Sequence, residues 1–460
     1  MKEKMTFSKL RLKMLLLLLI CLISISCSIS VHAENEKPML TPEDAEAFIN
    51  VLLSDDPAFL DGMYKLTPDM EKAISASGGW KTLAMQFSSL GEADKIGPAY
   101  ADTLSGREVL RVPCSFSVLP LDLVFVLEDG VIGGLITDKF TGEQEKTAEE
   151  PKKGNFTEID LSVPVPELNG ELPGTLTIPK GDGPFPGVIL VHGSGPNNRD
   201  EEIMNVRPFR ELAEGLAENG IAVYRYDKRT FVYGAELASD RQVTLMEETV
   251  KDAVTAVQIV SAQDKIDPSK IVVLGHSLGA MSIPAIDGLL REEPVKAAGY
   301  VFMAPPARHL DELMREQYEF LLSLQPEISE EQKEEQDKLF SELDRLKYLE
   351  SLPDDEMIAG AFVPYWKWLY AYDPLKEADS IEVPCLILQG EEDYQVTMED
   401  YHIWEDAVGK RSNWKLISYG GLVHAFVPGQ KTEGLAVYQK DVHVDSQVIS
   451  DIADFINSID

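Results

Sequence analysis

The sequence predicts an α/β protein built on a mostly parallel sheet, preceded by a small α+β unit. Three observations carry this. Short apolar runs, near-continuous in hydrophobicity, recur at 188–191, 221–226, 271–274, 299–303 and 385–388, with helical stretches between them. The first third of the chain instead places helices before a run of alternating strands. Finally, 460 residues exceed a typical single domain.

Residues 1–33 read as an export signal. Lys2, Lys4, Lys9, Arg11 and Lys13 precede an apolar run from Met14, and Val31-His32-Ala33 supplies a cleavage site. A lipid anchor at Cys27 is the alternative, although Ser24-Ile25-Ser26 lacks the leucine usual in a lipobox. Removal of the segment would take the formal charge from −36 to −40. A chain this acidic repels phosphate backbones and anionic head groups, so nucleic acid is not an expected partner, and no membrane span is expected once the signal is removed. The localisation expected is secreted or cell-envelope associated. Cys114 and Cys385 sit in separate apolar segments, which predicts buried thiols rather than a bridge.

The small unit is expected over 38–140. Thr41-Pro42-Glu43 is a helix start, with Ala45, Phe48, Ile49 and Leu52 at helical spacing. A second helix is expected over 79–90. Strands follow at 108–112, 114–118, 121–127 and 131–136, with a turn at Glu128-Asp129-Gly130. Helices followed by a meander resemble the nuclear-transport-factor-2-like fold. No catalytic constellation is visible in this unit, and residues 141–155 read as a charged linker.

The remaining residues, 156–460, carry the chemistry. Gly275-His276-Ser277-Leu278-Gly279 follows the run Ile271–Leu274 directly. A Gly-x-Ser-x-Gly between a strand and a helix is a nucleophile elbow, a turn so tight that glycines must flank the serine. By itself the pattern arises by chance in about one chain in six of this length, and a helix N-cap serine would explain it as well. The partners decide between the two. A base is expected late in the chain, and His424, in Gly420-Gly421-Leu422-Val423-His424, follows the strand-like segment 414–419. His402 and His443 lie in helical contexts, and His309 opens another segment. The orienting acid should fall between Ser277 and His424 on a loop after a strand. Asp393, in Gly390-Glu391-Glu392-Asp393, fits best, with Glu391 and Glu392 open on spacing alone. Val191-His192-Gly193-Ser194-Gly195 supplies an oxyanion loop, with the Ser194 and Leu278 N–H groups as donors.

These motifs, with Asn197-Asn198-Arg199-Asp200 and Tyr226-Asp227-Lys228-Arg229, resemble a branch of bacterial α/β-hydrolases described as serine-aminopeptidase-like and containing carboxylesterases. The resemblance spans about Phe156 to Asp460. It implies a Ser277–His424–Asp393 triad, and His192, Gly193, Gly195, Gly275 and Gly279 as its support. It departs from the family at Asn198, usually Asp, and Thr230, usually Gly. Arg199, Asp200, Asp227 and Arg229 are expected to form a polar network beneath the oxyanion loop.

Residues 305–375 are expected to form an acidic helical cap, ending in the cluster Tyr365, Trp366, Trp368 and Tyr370. No His-Glu-x-x-His or clustered Cys/His spacing occurs, so neither metal nor cofactor is expected. The leading expectation is hydrolysis of a small ester. Amide or aminopeptide hydrolysis with the same triad, and a non-catalytic envelope-binding role, are the alternatives.

Overall fold

The computed structural model describes residues 40–139 and 154–459, apart from short stretches at 55–56, 77–78, 81–83, 85–92, 105–106, 117–120, 129, 235–236, 238–239, 326–327 and 329. The expected export signal, all but the last two residues of the linker, and most of the helix expected at 79–90 lie outside the described residues. The chain divides into two compact units, the first ending at Lys152.

In the first unit, Thr41 caps the helix Pro42–Leu52 with a reciprocal box: its hydroxyl accepts the Asp44 N–H, and the Asp44 carboxylate accepts the Thr41 N–H. Ala45, Phe48, Ile49 and Leu52 form the buried stripe. They pack on an antiparallel sheet of β1 (Ala93–Ile96), β2 (Tyr100–Leu104), β3 (Arg107–Phe116), β4 (Leu121–Glu128) and β5 (Val131–Lys139). Phe48 meets Trp80 and Phe125 edge-on at 5.1 and 5.0 Å. The sequence pattern divided β3 at Pro113, yet the strand runs through it. β2 pairs with β3 only as far as Arg111, and β1 takes over at Cys114. The Pro113 carbonyl accepts the Gly97 N–H between those two strands. Its missing N–H therefore falls at a junction and interrupts no ladder.

The second unit is an eight-stranded sheet. Its strands are β6 (Phe156–Asp160), β9 (Gly174–Pro179), β10 (Phe185–Val191), β11 (Ala222–Tyr226), β12 (Ile266–His276), β13 (Gly299–Met303), β16 (Cys385–Gly390) and β17 (Trp414–Tyr419), in the order β17-β16-β13-β12-β10-β11-β9-β6. A side hairpin pairs β7 (Val163–Val165) with β8 (Gly170–Leu172). From β17 to β11 every pairing is parallel, while β9 and β6 run antiparallel at one edge. Val188–Val191 and Ile271–Leu274 are fully buried, as parallel strands covered by helices must be. Each such side chain contributes roughly 1.5–3 kcal/mol relative to exposure. The covering helices pair as Pro208–Glu218 with Ser446–Asn457, and Lys251–Ser261 with Ile283–Leu290. Gly215 permits the first approach, since a Cβ there would stand 2.9 Å from Ile449.

Between β13 and β16 the chain forms a mostly helical insertion, the segment expected as a cap. Helices Leu310–Ser323, Glu330–Asp344 and Val363–Ala371 account for most of it. It also contains a hairpin, β14 (Met357–Ile358) with β15 (Ala361–Phe362), where a purely helical cap was expected. Ala359 and Gly360, at φ 44° and 85°, make the two-residue turn that such a hairpin requires. Arg308 anchors the cap by ion pairs to Asp400 and Glu316, each at 2.7 Å. Cys114 and Cys385 are buried free thiols. No helix among the described residues is long and apolar enough to cross a membrane.

Candidate active site

The sharpest backbone feature is at Ser277, where β12 ends and the helical turn Leu278–Met281 begins. Ser277 has φ 53° and ψ −120°, a region that L-residues avoid and that stores roughly 1–3 kcal/mol. Its N–H donates to the Met303 carbonyl at 2.8 Å, tying the turn to β13. A Cβ on Gly275 would lie 2.4 Å from the Gly279 oxygen, and one on Gly279 would lie 2.2 Å from the Val191 oxygen. Both obstacles are backbone and cannot yield, so only glycine fits on either side.

The loop after β16 carries Asp393 and the loop after β17 carries His424. His424 Nδ1 donates to Asp393 Oδ2 at 2.6 Å, and both side chains are buried. Asp393 Oδ1 accepts the N–H groups of Gln395 and Val396 at 2.7 and 3.1 Å, and Gln389 Nε2 reaches Oδ2 at 3.3 Å. Four donors thus fix the carboxylate, which in turn places the imidazole proton on Nδ1 and leaves Nε2 as a base. Glu391 and Glu392 are turned elsewhere, to the Ser418 hydroxyl and the Lys431 N–H.

His276 joins the two halves of the site. Its Nε2 donates to the His424 carbonyl at 3.1 Å, its Nδ1 lies 2.9 Å from Glu201 Oε2, and its ring centroid is 4.5 Å from that of His424. With Glu201 ionised both partners only accept, so both ring nitrogens donate and the ring is an imidazolium. Burial pushes its pKa down, but the Glu201 charge and hydrogen bond outweigh this and raise it. Burial likewise opposes ionisation of Glu201, and His276 overcomes it, so that carboxyl lies below its usual range. His192, by contrast, is depressed to about 4 by burial and is neutral, donating from Nε2 to the Asn198 carbonyl.

This buried pair predicts a pH window. The His276 contribution is complete below the ordinary imidazole value of 6.5 and is lost as pH rises through the elevated folded value. That of Glu201 is present above 4.5 and lost as pH falls through its depressed value. Thermal melts should therefore lose midpoint as pH rises above the ordinary imidazole value. Glu201→Gln should lower stability near pH 6 by about 1.5–3 kcal/mol and flatten that decline. An unchanged decline in the variant would show that the pair does not cause it.

Gly193 packs against the serine: a Cβ there would stand 3.2 Å from Ser277 Cβ. Its N–H is taken by Glu201 Oε1 at 2.7 Å. The next N–H, of Ser194, has no acceptor among the described residues and sits on an exposed loop. Leu278 heads its helical turn, so its N–H lacks an intrahelical acceptor.

Arg199 binds Asp227 through its backbone N–H, Nε and Nη2 at 2.8, 3.1 and 2.9 Å. Asp200 pairs instead with Arg225, and Arg229 with Asp252 at 2.5 Å. Arg225 also meets Glu158, and Arg229 also meets Glu167 at 3.0 Å, so the polar groups beneath the loop form three ion clusters centred on Arg199, Arg225 and Arg229. Gly195 turns at φ 89°, and its carbonyl accepts from the Thr230 hydroxyl at 3.2 Å, a bond that glycine at that position could not make. Asn198 Oδ1 accepts the N–H groups of Asp200 and Glu202, as a carboxylate would.

Sequence reasoning missed Glu201, Lys228 and Glu248. Lys228 Nζ donates to the Gly193 carbonyl at 2.8 Å and pairs with Glu248 at 2.5 Å, and the Tyr365 hydroxyl donates to the other Glu248 oxygen at 2.6 Å. Lys228 stands two residues after the apolar strand 221–226, a place that by itself does not name its partners. The cap aromatics divide: Trp366 is buried on the Ile358 carbonyl, whereas Tyr370 stacks on His309 at 4.6 Å. His443, expected in a helix, lies before one. Asp445 caps Ser446–Asn457 by accepting the Gln447 N–H, which fixes the helix start beyond it. No group of three or more metal-binding side chains occurs among the described residues.

A serine on a sharp strand-to-helix turn of a parallel sheet, with a His–Asp pair on the loops after later strands, defines an α/β-hydrolase of the serine type. Residues 188–428 match the family described as serine aminopeptidase, S33. Esterase EstD of Thermotoga maritima is 39% identical over 415 residues, covering 89% of this chain and 94% of its own. The chain belongs to this family of α/β-hydrolases. Among solved structures, Est1E from Butyrivibrio proteoclasticus aligns with a TM-score of 0.42 and 18% identity, over 65% of this chain and 99% of that one. The hyperthermophilic esterase from the archaeon Pyrobaculum calidifontis gives 0.41 and 18%, over 66% and 85%.

Proposed function

We propose that the protein hydrolyses small carboxylic esters through an acyl-enzyme on Ser277. The observation that carries this is the 2.6 Å His424–Asp393 bond, held against the residue that precedes the strained serine. His424 Nε2 removes the Ser277 hydroxyl proton as Oγ attacks the carbonyl carbon. The Ser194 and Leu278 N–H groups receive the oxyanion. Collapse expels the alcohol, which takes the proton from His424, and a water activated by the same nitrogen releases the acid.

The name of the 39% identical relative favours an ester over an amide, and so does the disposition of carboxylates. A peptidase of this kind needs an acid aimed at the substrate's amino terminus. Glu201, Asp227, Glu248 and Asp393, buried acids around the serine and its loop, are all committed to internal partners. Paired p-nitrophenyl butyrate and amino-acid p-nitroanilide assays test this reading. Ester turnover should exceed amide turnover by at least about 100-fold, which is about 2.7 kcal/mol of transition-state discrimination; comparable rates would assign the protein to the peptidase branch.

Residues 1–33 are further proposed as an export signal, supported by their basic start and apolar run. A mature chain beginning at Glu34 is the expected result of N-terminal sequencing, and a lipid-modified Cys27 the contrary one. The first unit, helices followed by an antiparallel sheet, is proposed to be nuclear-transport-factor-2-like.

A further inference from the structure

We propose that Lys228 is a positioning residue for the oxyanion site, and that it ties that site to the cap through Glu248 and Tyr365. This rests on the reading of the Ser194 N–H as an oxyanion donor. The Gly193 carbonyl and the Ser194 N–H are the two ends of one peptide unit. Such a unit is planar and trans, so fixing the direction of its oxygen fixes the direction of its N–H. Lys228 Nζ holds that oxygen at 2.8 Å. On the other side of Gly193, Glu201 holds the N–H at 2.7 Å. Gly193 has no side chain to resist rotation, so these two bonds, with Asn197 Nδ2 at 3.3 Å from the same oxygen, set the plane.

The ammonium also polarises the peptide. A cation on the carbonyl draws electron density toward oxygen and makes the N–H at the far end a better donor. Lys228 is 2% exposed, so water screens this effect little.

Lys228 in turn depends on Glu248, 2.5 Å away. Glu248 lies within Met246–Val250, wound as a π-helix before the α-helix Lys251–Ser261. The wider turn, a form often found at functional sites, presents the carboxylate between Lys228 and the cap. Its second oxygen accepts from Tyr365, in the cap helix Val363–Ala371, at 2.6 Å. A continuous path of hydrogen bonds therefore runs Tyr365–Glu248–Lys228–Gly193 and ends at the Ser194 N–H. The chemistry that Lys228 serves is negative charge developing on a carbonyl oxygen.

Lys228→Met alone would strand a buried carboxylate, so the paired variant Lys228→Met/Glu248→Gln is the test, beside Tyr365→Phe. Active sites are counted by a fluorophosphonate probe, and each variant is measured for kcat, KM and affinity for a trifluoromethyl ketone, which forms a tetrahedral adduct. The paired variant should lose about 10- to 100-fold in kcat per labelled site, somewhat less than removal of a whole donor. Its KM should stay within about twofold, and ketone affinity should fall by the same factor as kcat. Tyr365→Phe should show the same signature at about threefold. Unchanged kcat per labelled site, or a kcat loss without a matching loss of ketone affinity, would overturn the inference and leave Lys228 a purely structural ion. A wild-type protein that neither turns over ester nor labels at Ser277 would instead sink the reading of the site. Normal wild-type turnover with indifferent variants overturns the role of Lys228 alone.

Discussion

Ser277→Ala is expected to fold and to lose ester hydrolysis by a factor on the order of 10⁶ in kcat. The residues flanking it cannot replace the hydroxyl. Gly193 and Gly275 have no side chains, His276 is committed at both ring nitrogens, and Leu278 is apolar. Residual turnover would come from the oxyanion donors and binding alone. A companion variant separates chemistry from strain. Ser277→Gly removes the same hydroxyl but suits φ 53°, so it should raise stability by about 1 kcal/mol or more while being equally inactive. Hydrolysis of p-nitrophenyl butyrate and thermal melts of both variants supply the measurements. Alanine at 277 with more than a hundredth of wild-type turnover would remove the serine from the mechanism.

Asp393→Asn is expected to cost about 10⁴ in kcat with the geometry preserved. The reason lies in how the carboxylate is held. Oδ1 takes two backbone N–H groups, from Gln395 and Val396, and an amide can satisfy these only with its oxygen. Its NH₂ must then face His424 Nδ1, which becomes an acceptor, and the imidazole proton moves to Nε2. The nitrogen that should take the serine proton is thereby blocked. A loss smaller than tenfold would mean that another acid orients His424, and Glu391 and Glu392 would be the next to test.

The parts of this site that were legible in the sequence are those where backbone geometry restricts residue choice. Gly275 and Gly279 are readable because any Cβ there strikes backbone, and the fully apolar runs around them because parallel strands are covered on both sides. Asp393 and His424 follow from their places after strands. Glu201 and Lys228 were not legible, since a charged residue in a polar run looks solvated until its partners are known. Of the partners of Glu201, Gly193 lies eight residues back on the same loop and His276 ends β12, while Lys228 finds Glu248 on a separate helix. Sequence spacing does not encode such meetings. The strand through Pro113 was hidden for a similar reason, as the break depends on where two neighbouring strands change over.

The position of the insertion bears on how the chain can change without disturbing its sheet. β13 and β16 are adjacent parallel strands, yet about 80 residues separate them in the chain. Because closure entropy grows only with the logarithm of length, this detour costs about 1.7 kcal/mol more than a minimal crossover of a dozen residues. Both ends of the insertion are fastened independently of its interior, by the Arg308–Asp400 clamp at one end and the sheet register at the other. Lengthening, shortening or exchanging the helices between them leaves every pairing of the eight-stranded sheet intact. Sequence divergence can therefore proceed within the insertion while the eight-stranded sheet stays constant, limited by the bonds that Tyr365, Tyr372 and Gln317 make outside it.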